Sequence, residues 1–424
     1  MTTYLTSTTA ATGLPAEEER PSCSSRPVIL VLLGVFWPGH EATGPNQSFR
    51  SFALALKDEF TFKVVARDRP FGSNRALVPS GQWVDRGFAQ FNYRETSILQ
   101  GARGLGEILR TTAYDLLMMN GFFDREFTIP ALMLRRSGRV PRRPTILSTR
   151  GEFAEGALGL KSFRKQFYLN FARHLGLVRD VWLHATGSRE AEDLRNRCPF
   201  ARGVLVAPNI RQIEGLSAIG NFATYPLAGS SSLRLVFLGR IARVKNLTYA
   251  LDVLRRVRPQ VTFDIYGPIQ DARYWQECRA IIDKLPANVS VTYKGEIANA
   301  NVPEALAPYD LFFLPTHGEN FGHAILDALS VGLPVLISDR TPFLDLERWN
   351  AGWSLPLDVK SAYVDAIEAL SKFDPATRLR LRQGARELAV QVVQESDAVS
   401  RSRAMIWQAL TSDDAKRRSH DRRT

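Results

Sequence analysis

Cysteine is scarce: Cys23, Cys198 and Cys278 stand far apart in the chain. Their spacing excludes a disulfide framework and a Cys-x-x-Cys metal knuckle. Reduced thiols in a cytoplasmic protein fit that usage. Long apolar runs are missing too. The longest, Val28–Trp37, falls well short of the roughly 20 residues of a membrane span and reads as a buried strand. Residues 1–26 lack the basic start and continuous apolar stretch of a signal peptide. Their Thr, Ser, Ala and Glu content marks a disordered leader. No Asp-x-Asp pair occurs, so the carboxylates that commonly hold Mg²⁺ against a phosphate group are absent. No metal and no other cofactor is expected. No Gly-x-Gly-x-x-Gly follows the first strand, because Gly39 and Gly44 have the wrong spacing, and this argues against a NAD-type enzyme. No recognised nucleic-acid module is present, so nucleic acid is not an expected partner.

What is there is ordinary in bulk. The 424 residues suit two domains of about 150–200 residues each. Apolar residues make up 45% and charged residues 23%, as in an average globular protein. The net charge of +12 favours anionic partners. Short apolar runs alternate with amphipathic stretches: Val28–Val35, Phe62–Ala66, Tyr114–Met119, Thr145–Ser148, Val181–Ala185 and Val204–Ala207 read as strands. Ser48–Glu59 and Ala131–Arg136 read as helices. Unbroken apolar strands separated by helices predict a parallel sheet covered on both faces. The pattern breaks between Arg211 and Ser232, where glycines and serines gather. A second series follows, from the strand Leu233–Leu238 through the strands Leu311–Leu314 and Pro334–Ser338. The expected organisation is a leader at 1–26, a first domain at 27–211, a linker at 212–232 and a second domain at 233–395. A helix at 396–412 that returns to the first domain and a disordered tail at 413–424 complete it. Two doubly wound α/β domains facing each other place a ligand in the cleft beyond the strands' carboxyl ends.

The segment Leu311–Ser338 carries the chemistry. It reads as strand, loop, helix, strand, with Glu319 just before the helix and Asp327 eight residues later. A helix start in a cleft favours phosphate, and Gly318 and Gly322 let backbone approach a ligand. On continuous helix the two acids stand roughly 12 Å apart. That suits two hydroxyl-bearing ends of one extended ligand, such as a nucleotide sugar. A second piece, Phe237-Leu-Gly-Arg-Ile-Ala-Arg-Val-Lys-Asn-Leu247, follows the second domain's first strand. Gly239 permits a tight turn, Asn246 can cap the next helix, and Arg240 and Lys245 supply cations for phosphate oxygens.

These residues resemble the family 4 retaining glycosyltransferases, which have the GT-B fold. The family pattern of Glu, seven residues and Glu, with Phe-Gly and Gly-x-Pro-Val, reads here as Glu319, Phe321-Gly322, Asp327 in place of the second Glu, and Gly332-Leu333-Pro334-Val335. The family's Gly-Arg-x4-Lys is matched by Gly239, Arg240 and Lys245. The resemblance implies a nucleoside-diphosphate sugar (UDP or GDP) as donor and a hexosyl group transferred with retention. Glu319 would meet the sugar hydroxyls and Asp327 the ribose. Arg240, Lys245 and the backbone at Asn320, Phe321 and Gly322 would hold the diphosphate. Ile297 would lie at the base, Gly44 against the diphosphate and His323 near the sugar, though plain packing explains His323 equally. Asp327 is one methylene shorter than the family's Glu. Where many members carry a His after the Tyr114–Met119 strand, Asn120 stands here. It can bond a sugar hydroxyl but cannot titrate near neutral pH. Arg150 falls in a segment that resembles one facing the cleft, where it would serve the acceptor or the donor phosphate.

The acceptor implied is a glycan or a lipid-linked one. Arg135–Arg179 carries eleven Lys and Arg against only Glu152 and Glu155, with Phe163, Phe167 and Phe171 interleaved near its end. That is the pattern of a basic amphipathic helix on an anionic membrane at the cytoplasmic face, or of a helix packed on its own domain. Two other functions stay open. A GT-B nucleotide-sugar 2-epimerase makes product from donor alone, and a non-catalytic nucleotide-sugar binder makes none.

Overall fold

The computed structural model describes residues 26–36, 44–70, 75–95, 98–153, 162–210, 232–319, 321–394 and 397–421. The first sheet contains β1 (Val28–Leu32), β2 (Thr61–Arg67), β3 (Trp83–Asp85), β4 (Gln90–Arg94), β5 (Leu116–Asn120), β6 (Thr145–Ser148), β7 (Trp182–Ala185) and β8 (Gly203–Val206). Their order is β3-β4-β2-β1-β5-β6-β7-β8. All neighbours are parallel except β3, which pairs antiparallel with β4. Successive residues of β1 serve opposite layers. Leu30 and Leu32 face one core, and Ile29 and Val31 face the other. A strand buried on both sides therefore reads as an unbroken apolar run.

On the first-domain sheet lie α1 (Gly44–Leu56), α2 (Ile98–Thr111), α3 (Thr128–Arg136), α4 (Ser162–His174) and α5 (Ser188–Arg197). The second domain contains β9 (Ser232–Leu238), β10 (Gln260–Tyr266), β11 (Val289–Gly295), β12 (Leu311–Leu314), β13 (Val335–Ser338) and β14 (Gly352–Leu355). They are ordered β11-β10-β9-β12-β13-β14, all parallel. Its helices are α6 (Leu247–Leu254), α7 (Ala272–Ile282), α8 (Val302–Leu306), α9 (His323–Ser330), α10 (Lys360–Lys372) and α11 (Pro375–Gln394).

The last helix, α12 (Ala398–Asp421), packs back on the first domain. Met405, Ile406 and Ala409 enter the core beside α1. The Trp407 ring lies 5.5 Å from Phe60, and the Arg403 guanidinium pairs with Glu59 at 2.7 Å. Residues 413–421, expected as a disordered tail, continue this helix. No glycine or proline interrupts 398–421, so nothing in the backbone stops it. The linker expected at 212–232 lies outside the described residues except for Ser232, which already belongs to β9.

Candidate functional site

β12 is buried at all four positions and ends at Pro315. The loop beyond it is tied down on both sides. Thr316 Oγ1 and His317 N donate to Val244 O at 2.9 and 2.8 Å. Ser338 Oγ donates to Thr316 O at 2.5 Å, and Glu319 N donates to Arg340 O at 2.9 Å. The Glu319 backbone is thus placed by two neighbouring segments, leaving its carboxylate to act. That carboxylate pairs with Lys245 Nζ, and both side chains are largely buried. The pairing joins the two sequence motifs, which the resemblance had assigned to different parts of the donor.

Gly322 sits in the left-handed region at φ 78° and caps α9. A Cβ there would stand 3.0 Å from the Phe343 ring, so this position needs glycine. Because α9 starts only at His323, after the Gly322 cap, Asp327 is only about one turn into it. The separation computed from continuous helical rise therefore does not apply between Glu319 and Asp327. Asp327 itself is half-buried. Leu326 N bonds Gly322 O, and the N–H groups of Ala324 and Ile325 lie in the first turn of α9. Asn320 lies outside the described residues.

The Gly239 turn meets the same point. Gly239 N donates to Tyr266 O at 3.0 Å. Gly267, at φ 134°, lies so close that a Cβ on it would stand 2.0 Å from Gly239 O. The chain then makes a short 3-10 turn at Arg243–Lys245, which aims Lys245 at Glu319. Asn246 does not cap α6 with its side chain. It sits at φ 56° and gives Nδ2 to Pro315 O at 3.0 Å, so it ties the two loops together instead. Arg240 is exposed and bonds Gln270 Oε1 at 2.7 Å. Ile297 is partly buried against the second core.

The first domain faces this constellation. Gly44 opens α1, and a Cβ on it would lie 3.1 Å from the His323 ring. The His323 Nε2 stands 2.9 Å from Ser48 Oγ, and its ring lies 4.6 Å from Phe321. Gln47 Nε2 donates to Asn299 Oδ1. His323 therefore joins the domains, through its own packing and its Ser48 contact. α1 follows β1 and α9 follows β12, so the carboxyl edges of the two sheets confront each other across a cleft. Of the glycine segment at 39–45, residues 39–43 lie outside the described residues.

On the same first-domain edge, Asn120 and Arg150 come together. Arg150 Nε and Nη2 donate to Asn120 Oδ1 at 3.2 and 3.0 Å, and Nη1 donates to Asn209 Oδ1 at 2.8 Å. Below them His184 bonds Ser148 Oγ at 2.7 Å and Ala207 O at 2.8 Å. Burial, reinforced by Arg150, pulls its pKa down to about 4, so it is neutral. Burial alone would raise Glu190, but donors from Thr186, Gly151 and Thr149 outweigh it and hold the carboxyl below its ordinary range. Burial pushes Glu152 up to about 7, and its carboxylate accepts from Phe122 N. Ser48, Gln47, Asn299, Asn209, Glu190 and Glu152 were not foreseen. Only Glu190 had a local signal: Thr186-Gly-Ser-Arg-Glu190 resembles the reach-back of a capping box. Among the described residues, no group of three or more His, Cys, Asp or Glu side chains is placed to hold a metal ion.

Residues 228–388 match the family model for glycosyl transferases group 1. A phosphatidyl-myo-inositol mannosyltransferase of Mycobacterium leprae is 27% identical over 173 residues, which is 39% of this chain and 44% of that protein. The chain thus spans less than half of that relative's length. A sucrose-phosphate synthase of Thermosynechococcus elongatus superposes with a TM-score of 0.67 at 14% identity, over 92% of this chain and 100% of that one. The HepE protein of Anabaena, solved with UDP and glucose, superposes at 0.59 with 17% identity, over 91% of this chain and 100% of that one. The matched segment spans the Lys245–Glu319 constellation, and the two-domain architecture is that of the GT-B fold.

Proposed function

We propose that the protein is a retaining glycosyltransferase that moves a hexosyl group from a nucleoside-diphosphate sugar to a glycan or lipid-linked acceptor, without a metal. The observation that carries this reading is the Lys245–Glu319 pair beside the free start of α9, opposite α1. Glu319 accepts hydrogen bonds from the sugar hydroxyls. Lys245, Arg240 and the N–H groups at Phe321 and Gly322 receive the diphosphate and stabilise the charge that grows as the sugar–phosphate bond breaks. The phosphate leaving on one face of the sugar takes up the acceptor's proton on that face, which retains the anomeric configuration. UDP in the HepE structure supports a uridine donor ahead of a guanosine one. Thermal unfolding with UDP, GDP and ADP tests this. One nucleotide at 100 times its Kd raises stability by roughly 2.7 kcal/mol, and no shift with any of them contradicts the reading.

A specific observation favours membrane docking on the acceptor side. α4 packs on its own domain through the buried Leu169 and Ala172. Its other face exposes Phe163 at 82%, Phe167 at 67% and Phe171 at 38%, with Leu175 following at 39%. These residues are four apart and so share one face. Exposed Arg164, Arg173 and Arg179 flank them. Bulky apolar residues beside cations fit the interface of an anionic leaflet at the cytoplasmic side. Among the described residues no helix is long and apolar enough to cross a membrane. The protein is expected to float with phosphatidylglycerol vesicles and not with phosphatidylcholine vesicles, and Phe163→Ser with Phe167→Ser removes the flotation. Equal behaviour with both vesicles refutes the docking.

A further inference from the structure

Arg150 is in an unusual position for an arginine. It follows β6 with a left-handed backbone at φ 52°, a conformation that a side-chain-bearing residue keeps only where the surroundings enforce it. Among the described residues, its guanidinium donates to neutral oxygens, those of Asn120 and Asn209. The nearby acid is committed elsewhere: Glu190 accepts from Thr149 Oγ1, Gly151 N, Thr186 N and Thr186 Oγ1. Other buried arginines of this domain do have carboxylates, Arg67 with Glu126 and Arg135 with Asp180. Burial lowers the Arg150 pKa to about 10, opposed by the charge of Glu190, which makes no hydrogen bond to it. Yet the residue keeps partial solvent access. Deep surroundings combined with an open side describe a group lining a concave floor.

The topology places that floor. β6 lies two strands from β1 in the sheet order, on the carboxyl edge that faces α9 through the Ser48–His323 contact. Lys245, Arg240 and the start of α9 all belong to the second domain. Arg150 is a first-domain cation, fixed from both sides by amides at the end of β5 and beyond β8. Planar guanidinium donors in such a frame match phosphate oxygens.

We propose that Arg150 binds a phosphate carried by the acceptor, so that the substrate class on this side is a phosphorylated acceptor. The proposal rests on the transferase reading. Asn120 and Asn209 orient the guanidinium without neutralising it.

The test uses the full chain with its stabilising nucleoside diphosphate present, so that the donor's phosphate site is filled. Glycerol 3-phosphate and inorganic phosphate are titrated, with glycerol as the neutral control. The wild type is expected to bind both anions and not glycerol. Arg150→Gln is expected to weaken anion binding at least about tenfold while shifting nucleotide affinity less than about twofold. Asn209→Asp keeps the arginine but gives it a carboxylate. It is expected to weaken the anions in the same way, which guards against misfolding of the first variant. Anion binding that is absent in the wild type, or unchanged in both variants, overturns the proposal and leaves the transferase reading standing. Loss of nucleotide affinity in step with the anions assigns Arg150 to the donor and overturns it as well. A wild type that binds no nucleotide refutes the transferase reading itself.

Discussion

Replacing Glu319 with Gln is expected to lower sugar transfer by roughly 10²–10³-fold, the size of effect seen when one preorganised electrostatic contact to a transition state is removed. The fold should be unaffected. Glu319 is positioned through its backbone bond to Arg340 and by the Thr316 and Ser338 contacts around it, none of which uses the carboxylate. The only partner of that carboxylate among the contacts described is Lys245. Gln preserves the volume and one acceptor oxygen, but it loses the charge that orders Lys245 and accepts the sugar hydroxyls. Release of nucleoside diphosphate from the donor, followed alongside circular dichroism, measures both parts. Unchanged turnover would remove Glu319 from the site.

Gly267→Ala is expected to destabilise the second domain by about 4 kcal/mol, the sum of a disallowed backbone region and a forced overlap. For a domain of this size that corresponds to a fall of roughly 10 °C in its melting transition. The added methyl would meet Gly239 O at 2.0 Å. Retreat is blocked, because Gly267 N bonds Gly295 O at 2.8 Å and Tyr293 Oη bonds Gly267 O at 2.9 Å. Relief has to come from the Gly239–Arg240 turn, so Lys245 moves off Glu319 and nucleotide affinity falls with stability. A melting transition within about 2 °C of the wild type contradicts this packing account.

The fold was legible where burial is complete. β6 and β12 have the bounds read from the sequence: all four residues of each are buried, Pro144 precedes β6, and Asp310 and Pro315 flank β12. β3 passed unnoticed, since Trp83, Val84 and Asp85 are exposed and show no apolar run. α2, with Gly101, Gly104 and Gly106 inside it, contradicts local helix propensity and is held by packing of Leu105, Ile108 and Leu109. In the site, the motif positions were readable and their geometry was not. The left-handed Gly322 takes Glu319 out of helical register with Asp327, and Lys245 meets Glu319 across 74 residues of chain. The Arg150 network has no spacing at all, because its amides come from the ends of different strands.

The most direct measurement is calorimetric titration of the stabilising nucleoside diphosphate into the wild type and Lys245→Met. The account predicts saturable one-site binding to the wild type. It predicts a Kd weaker by about tenfold or more for the variant, the loss of one charge-assisted phosphate contact. Equal affinity in the two proteins, or no binding of UDP or GDP to the wild type, would contradict a donor site built on Lys245 and Glu319.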